Sequence, residues 1–104
     1  MARLIRSALA KQDIAEVLQY TRQHWGEDKA REYRDLIREA LGVIASDPQR
    51  GRPRGEVRPG ILGYPIAQPG RNARHILFYR VGPTGEVEIV RFLHDSMDFD
   101  RHLP

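Results

Sequence analysis

Residues 74–98 read RHILFYRVGPTGEVEIVRFLHDSMD. Two runs of β-branched, aromatic and aliphatic residues flank the short turn sequence Gly82–Gly85, which predicts a β-hairpin that ends in a polar cluster. Large apolar residues occupy both faces of both strands, whereas a sheet with one solvated face should alternate cleanly between apolar and polar residues. We therefore expect this sheet to be covered twice, once by helices of the same chain and once by something else.

Two amphipathic helices are predicted upstream of the hairpin. We predict a first short strand over residues 2–8, and helical periodicity starts at Ala10. Gly26 is a natural helix stop, and Asp47-Pro48 ends the second helix because the residue before proline disfavours the helical conformation. The break between the helices predicts an antiparallel helical hairpin. The apolar stripe of the first helix contains Ile14, Val17, Leu18, Thr21 and Trp25, and that of the second contains Ala30, Tyr33, Ile37, Ala40, Leu41 and Ile44.

The remaining segments complete an α+β pattern. Residues 48–60 are rich in proline, glycine and arginine and indicate a loop, whereas residues 61–66 resume a strand pattern in which Pro65 favours an edge or a bulge. Residues 68–72 have turn chemistry. We expect Ser96 to cap a short last helix with Asp98 in its first turn. The predicted order is β-α-α-β-β-β-α, a single domain over residues 1–104 in which the helical hairpin packs on a small, largely antiparallel sheet.

Composition excludes several kinds of chemistry. The chain has no cysteine, which removes disulfides, thiolate catalysis and cysteine-ligated zinc, and no apolar run is as long as a membrane span. We expect a cytoplasmic protein. The formal net charge is +3, but residues 50–80 hold seven arginines against the single Glu56. Because guanidinium groups suit carboxylate and phosphate partners, this block favours an acidic protein or a nucleic acid as partner, and a solvated loop is the plainer interpretation.

Several motifs resemble one toxin family. They are Tyr20, Trp25-Gly26, the spacing Ala30–Tyr33–Leu36, Asp47-Pro48, Gly51, Arg58-Pro59-Gly60, residues 75–80, residues 89–94 and Met97-Asp98. Together they resemble the RelE/ParE toxin superfamily, on its ParE (plasmid stabilisation) side. The resemblance implies a helical hairpin on a small antiparallel sheet, which agrees with the order above.

The resemblance also implies a function. The chain would be the toxin of a type II toxin–antitoxin module, inhibiting DNA gyrase by binding, with no cofactor, and neutralised by a small antitoxin that wraps it. Two alternatives stay open: a RelE-like ribosome-dependent mRNA endonuclease, which would be an enzyme, and a non-toxic relative that only binds its partner. Direct binding of nucleic acid is left open.

Candidate site residues follow from this implied function and from strand alternation. For the antitoxin we expect arginines around an apolar groove, with aromatic side chains as anchors: Arg58, Arg74, Arg80 and Arg91 with Phe78, Tyr79 and Phe92. For the target we expect the polar cluster His94, Asp95, Met97 and Asp98. We expect a partner, rather than the loop 48–60 and the last helix, to cover the second face of the sheet, because that loop is polar.

The same residues suggest two further kinds of site. A nuclease would use His94 as acid or base, with Arg74, Arg80 or Arg91 stabilising the phosphorane; a structural hydrogen bond from His94 to the last helix is the favoured interpretation. His94, Asp95, Asp98, Asp100 and His102 match no metal-binding spacing, so no metal is expected. The aromatic residues Tyr20, Trp25 and Tyr33 are interpreted as core.

Overall fold

The helical hairpin consists of two long helices that meet at Gly26. In the computed structural model, which describes residues 1–67 and 74–104, α1 spans Ala8–Trp25 and α2 spans Glu27–Ser46. Gly26 has a φ of +94°, a conformation that glycine adopts without the steric cost of a side chain, so the chain reverses there. Ser7 caps α1, since its Oγ accepts a hydrogen bond of 3.0 Å from the Ala10 amide. The predicted helices and the break between them are confirmed.

In the described part of the chain, five strands form one sheet in the order β1-β5-β4-β3-β2. The strands are β1 (Leu4–Arg6), β2 (Arg52–Pro53), β3 (Leu62–Ala67), β4 (Arg74–Val81) and β5 (Val87–His94), and a short helix, α3 (Phe99–His102), follows them. β1 pairs with β5 in parallel, and the other neighbours are antiparallel. The predicted α+β architecture is confirmed, with one addition: β2 lies inside the predicted loop 48–60. The predicted turn 68–72 lies outside the described residues.

Pro65 lies in the part of β3 that has no pairing with β2. β2 pairs with β3 only at Leu62 and Gly63, whereas β4 pairs with β3 along its whole length. Pro65 therefore lies past the end of β2, at an exposed edge of the described sheet, where a missing amide hydrogen costs little. This agrees with the edge position expected from the sequence.

A β-bulge in β5 changes which side chains share a face. Phe78 pairs with Arg91 and Tyr79 with Ile89, so Val90 is an extra residue in β5. Simple alternation groups Leu93 with Ile89 and Phe92 with Val90. In the folded chain, Ile89 and Phe92 instead belong to the core under the helices, and Val90 and Leu93 belong to the opposite face. The alternation predicted for β5 is therefore wrong beyond the bulge.

The second face of the sheet is covered by the chain itself. Ile76, Phe78, Val90 and Leu93 form an apolar cluster with residues from the segment before β3 and from the C-terminal segment. The covering residues are Val57, Ile61, Met97, Phe99 and Leu103. The expectation that a partner would cover this face is thus wrong: the loop is polar on average, but its few apolar side chains point inward and the C-terminal segment supplies the rest.

Three smaller expectations also need correction. Asp98, and not Ser96, is the residue that precedes the first turn of α3, and it makes no side-chain capping bond. Tyr20 and Trp25 are about half exposed, whereas Tyr33 is fully buried as expected. α1 packs against α2 and β5.

Candidate binding cleft

A cleft of about 550 Å³ opens between α1, the ends of β4 and β5, and the C-terminal segment. Its size falls within the roughly 300–1,000 Å³ of typical ligand pockets. It is lined by Asp13, Glu16, Val17, Tyr20, Thr21, His75, Arg91, Phe92, Leu93, His94, Met97 and His102. Carboxylates, imidazoles and apolar side chains thus share one concave surface, which makes the cleft the candidate functional site.

His75 forms the buried back of the cleft. Its Nδ1 lies 2.9 Å from the hydroxyl of Tyr33 on α2, and its ring stacks on Phe92 with centroids 5.0 Å apart. Burial, followed by repulsion from His94, lowers the pKa of His75 to about 4, although Asp95 opposes the shift. Burial likewise raises the pKa of the Tyr33 phenol well above its usual range. The His75–Tyr33 pair is therefore neutral at physiological pH and serves to join the sheet to α2.

His94 lies in front of His75 at the end of β5. The two rings meet edge to face, with centroids 5.1 Å apart. The Nδ1 of His94 accepts a hydrogen bond of 3.1 Å from the Ser96 amide and lies 2.7 Å from the Ser96 hydroxyl. The bond expected from His94 to the last helix is therefore corrected: His94 bonds the turn that follows β5, and this accounts for Ser96 being unavailable as a helix cap.

Arg91 is held by a bidentate ion pair with Asp13 of α1. Its Nε donates to Asp13 Oδ2 at 2.7 Å, its Nη2 donates to Asp13 Oδ1 at 2.9 Å, and its Nη1 donates to the His102 carbonyl at 2.9 Å. Asp13 also accepts a bond of 3.0 Å from the Phe92 amide, on the edge of β5. The pKa of Arg91 is raised, chiefly by its hydrogen bonds to Asp13. This pair fastens α1 to the sheet edge and to the C-terminal segment.

The proposed nuclease residues are not gathered in one place. Along β4, Arg74 and Arg80 alternate with His75, so they belong to the other face of that strand, and neither lines the cleft. Arg80 pairs with Glu88 at 3.3 Å, and Arg74 is exposed. Among the four residues expected for phosphoryl chemistry, only His94 and Arg91 line the cleft, and the guanidinium of Arg91 is already engaged by Asp13.

The aromatic residues expected as antitoxin anchors are sealed inside the chain. Phe78 and Tyr79 are 0% exposed and Phe92 is 2% exposed. The Tyr79 hydroxyl donates to the Pro48 carbonyl and accepts from the Gly51 amide, each at 2.8 Å. These rings consequently present no surface to a partner in the free chain, and the corresponding expectation is corrected.

Arg58 is also used internally. Its guanidinium donates to the Asp100 carboxylate at 2.8 Å and to the carbonyls of Leu103 and Pro104 at 3.4 and 3.2 Å. Arg58 therefore holds the C-terminal segment against the sheet. Of the four arginines expected around an antitoxin groove, Arg74 and Arg80 keep a substantial exposed surface.

The residues expected to contact the target lie together at the mouth of the cleft. Asp95 and Asp98 are exposed, and His94 and Met97 are half-buried and line the cleft. Within the described ranges, no group of three or more His, Asp or Glu side chains is arranged to hold a metal ion. Likewise, no helix in the described part of the chain is long and apolar enough to cross a membrane.

Comparison with known proteins identifies the family. The family model described as ParE toxin of type II toxin-antitoxin system, parDE, matches residues 4–99. The chain belongs to the ParE toxin family. The ParE resemblance expected from the sequence is thereby confirmed.

Relatives of known name and structure agree with this assignment. Toxin ParE1 of Mycobacterium tuberculosis (strain H37Rv) is 36% identical over 102 residues, covering 98% of each chain. Toxin ParE1 of Caulobacter vibrioides (strain CB 15) is 36% identical over 97 residues, covering 93% of each chain. A solved structure described as the chromosomal ParDE TA system from P. aeruginosa matches with a TM-score of 0.71 at 19% identity, over 90% of this chain and 96% of that chain, and supports the fold alone.

Sequence reasoning missed the contribution of α1 to this ParE cleft. Asp13, Val17 and Thr21 recur at intervals of four residues, so they share one face of α1, and Asp13 and Thr21 are buried. A carboxylate on the buried stripe of a helix requires a cation partner, because an isolated buried charge is costly. That signal in the sequence indicates that Asp13 needs a cationic partner, and the structure shows that the partner is Arg91.

Proposed function

We propose that this chain is the toxin of a parDE-type module, that it inhibits DNA gyrase by binding, and that a cognate antitoxin neutralises it. The observation that carries the proposal is the ParE family match over residues 4–99, joined by relatives named Toxin ParE1 over nearly the whole chain. Gyrase acts inside the cell, so the proposal includes a cytoplasmic location.

Inhibition by binding is preferred to bond-breaking chemistry for a structural reason. Cleavage of RNA needs a proton acceptor, a proton donor and a cation at the developing phosphorane. His94 can supply one proton-transfer group, but the donors of Arg91 point at Asp13 and His102. The Arg74 and Arg80 side chains belong to the other face of β4. This arrangement supports a binding role for the cleft and its mouth.

The target surface in this proposal is the turn after β5. Asp95 and Asp98 are exposed in this turn, and the neighbouring His94 and Met97 are partly exposed. The antitoxin surface in this proposal includes the exposed Arg74, which lies at the start of β4 and whose carbonyl accepts a bond of 3.0 Å from the Asp95 amide. An antitoxin bound at that position would also shield the target surface, which accounts for neutralisation.

Induced expression and two biochemical assays test the proposal. Expression of the chain alone should arrest growth, and the purified chain should inhibit DNA supercoiling by gyrase, whereas primer extension should detect no mRNA cleavage. Growth arrest with mRNA cleavage and normal supercoiling would favour the endonuclease alternative. Normal growth would favour the non-toxic relative.

Charge reversal localises the target surface. Asp95→Lys and Asp98→Lys should each weaken gyrase inhibition, because these carboxylates are exposed at the proposed contact. Asp35→Lys is the matched control, since Asp35 is an exposed aspartate on α2, away from the cleft. Equal inhibition by all three variants would move the target surface elsewhere on the chain.

A further inference from the structure

The exposed charged group in the cleft is a carboxylate, not a guanidinium. Among the described residues that line it, the carboxylates are Asp13 and Glu16 and the arginine is Arg91. Asp13 and Arg91 neutralise each other through two short hydrogen bonds. Glu16 accepts a bond of 3.0 Å from the Gln12 amide and, within the described parts of the chain, forms no ion pair. A guest in the cleft therefore meets a carboxylate that forms no ion pair within the described residues, although its charge helps to raise the pKa of Arg91, and the guanidinium of Arg91 is already bound by Asp13.

The walls of the cleft suit a long side chain that is apolar along its stem. Val17, Leu93 and Met97 supply apolar surface. Tyr20 stands at the mouth with 54% of its surface exposed, and its ring is braced by stacking on His24 at a centroid distance of 4.0 Å. A guanidinium stacks favourably on an aromatic face, and its stem packs on apolar surface while the charged head stays near water.

We propose that the cleft receives an arginine side chain of the antitoxin. The stem lies along Val17 and Met97, and the guanidinium lies between the Tyr20 ring and the Glu16 carboxylate. Arginine fits better than lysine because its planar group both stacks on a ring and pairs with a carboxylate through two donors. This inference rests on the proposed function for the identity of the partner, but the chemistry of the cleft is tested without it.

A small probe tests the cleft directly. N-acetyl-arginine-N-methylamide is titrated into the isotope-labelled full chain at pH 8, above the ordinary pKa of imidazole, and amide shifts are followed by NMR. The probe should shift resonances of Thr21, His75 and Met97, and the uncharged citrulline analogue should bind at least about fivefold more weakly. Equal binding of the two probes, or shifts that map away from the cleft, would overturn the proposal.

Matched variants separate the two recognition elements. Glu16→Gln should weaken arginine-probe binding by about fivefold, whereas Glu39→Gln, which removes an exposed glutamate from α2, should leave it unchanged. Tyr20→Leu should weaken binding, and Tyr20→Phe should retain it because the ring face is preserved. If Glu16→Gln behaves like Glu39→Gln, the carboxylate has no such role and the proposal fails.

The identity of the partner is tested with the purified toxin–antitoxin complex. Glu16→Gln toxin should release the antitoxin about fivefold faster than wild type, and Glu39→Gln toxin should release it at the wild-type rate. Equal release rates would refute the antitoxin as the source of the arginine, even where growth arrest and gyrase inhibition persist. Conversely, loss of the toxin function with intact probe binding would refute the proposed function and leave the cleft chemistry standing.

Discussion

Removing the Asp13 carboxylate should be among the most destabilising single changes in this chain. Asp13→Ala deletes the acceptor of two hydrogen bonds from Arg91 and one from the Phe92 amide. The Arg91 and Asp13 side chains are 14% and 10% exposed, so water cannot readily replace the lost partner. Among the hydrogen bonds of the described residues, the variant leaves the largely buried guanidinium with its bond to the His102 carbonyl.

The expected cost follows from this burial. Breaking a buried ion pair by removing one partner typically costs about 3–5 kcal/mol. Domains of this size are stable by only about 5–15 kcal/mol, and each kcal/mol corresponds to about 4–8 °C in Tm. Asp13→Ala should therefore lower the Tm by about 12 °C or more. Urea unfolding followed by circular dichroism measures the free energy, and a thermal scan measures the Tm.

An exposed ion pair provides the control, and a double variant provides a rescue. Glu88→Ala breaks the Arg80–Glu88 pair, in which both side chains are nearly half exposed, and should cost no more than about 1 kcal/mol. Asp13→Leu combined with Arg91→Met replaces the pair with apolar groups and should recover much of the loss. A cost of Asp13→Ala no greater than that of Glu88→Ala would refute this reasoning.

Three further predictions concern pH and packing. Burial holds the pKa of His75 near 4, below the ordinary value of about 6.5, so between these pH values the unfolded chain binds a proton that the folded chain does not. The contribution of His75 to the free energy of unfolding should be complete above pH 6.5 and should fall by roughly 3 kcal/mol toward pH 4. Urea unfolding across this range measures the slope, and His75→Gln should flatten it. Gly51→Ala places a methyl group against the Tyr79 hydroxyl and should cost about 1–3 kcal/mol in the same assay, whereas Gly55→Ala, which meets open space, should stay within about 0.5 kcal/mol. Tyr20→Ser should lower the free energy of unfolding by less than about 1 kcal/mol because Tyr20 is half exposed, whereas Tyr79→Ala should lower it by about 3–5 kcal/mol because Tyr79 is fully buried. Comparable losses for the two variants would contradict the assigned burial.

The helical hairpin and the order of the main elements along the chain were predictable because a long periodic pattern identifies an element even when single residues are ambiguous. The stripe from Ala30 to Ile44 repeats over several turns, so a single ambiguous residue does not change the interpretation. Gly26 and Asp47-Pro48 then mark the ends by backbone chemistry that acts locally. By contrast, the two-residue strand β2 is too short to leave a pattern, and its pairing with Leu62 and Gly63 is set by tertiary packing.

The covering of the second sheet face was not predictable from strand alternation. Alternation shows that the apolar side chains of Ile76 and Phe78 must be buried on the second face, but it does not identify the residues that bury them. The cover comes from scattered residues, including Val57, Phe99 and Leu103, none of which belongs to a periodic segment. The bulge at Val90 adds a second difficulty, because one extra residue exchanges the faces of everything after it in β5.

The internal use of arginines explains why the charge count overstated the guanidinium surface that is open to a partner. Arg54 pairs with Glu56 at 2.6 Å and lies over the Phe99 ring at 5.3 Å, and Arg58 binds the last carbonyls of the chain. A helix as short as α3 leaves most of its carbonyls without helical hydrogen bonds, so long side chains with several donors satisfy some of them instead. Once these guanidinium groups and Arg91 are assigned to the fold, the exposed charge of the candidate cleft is that of Glu16. The proposed recognition at the cleft therefore involves a cationic side chain, in contrast to the acidic segment that composition alone suggested.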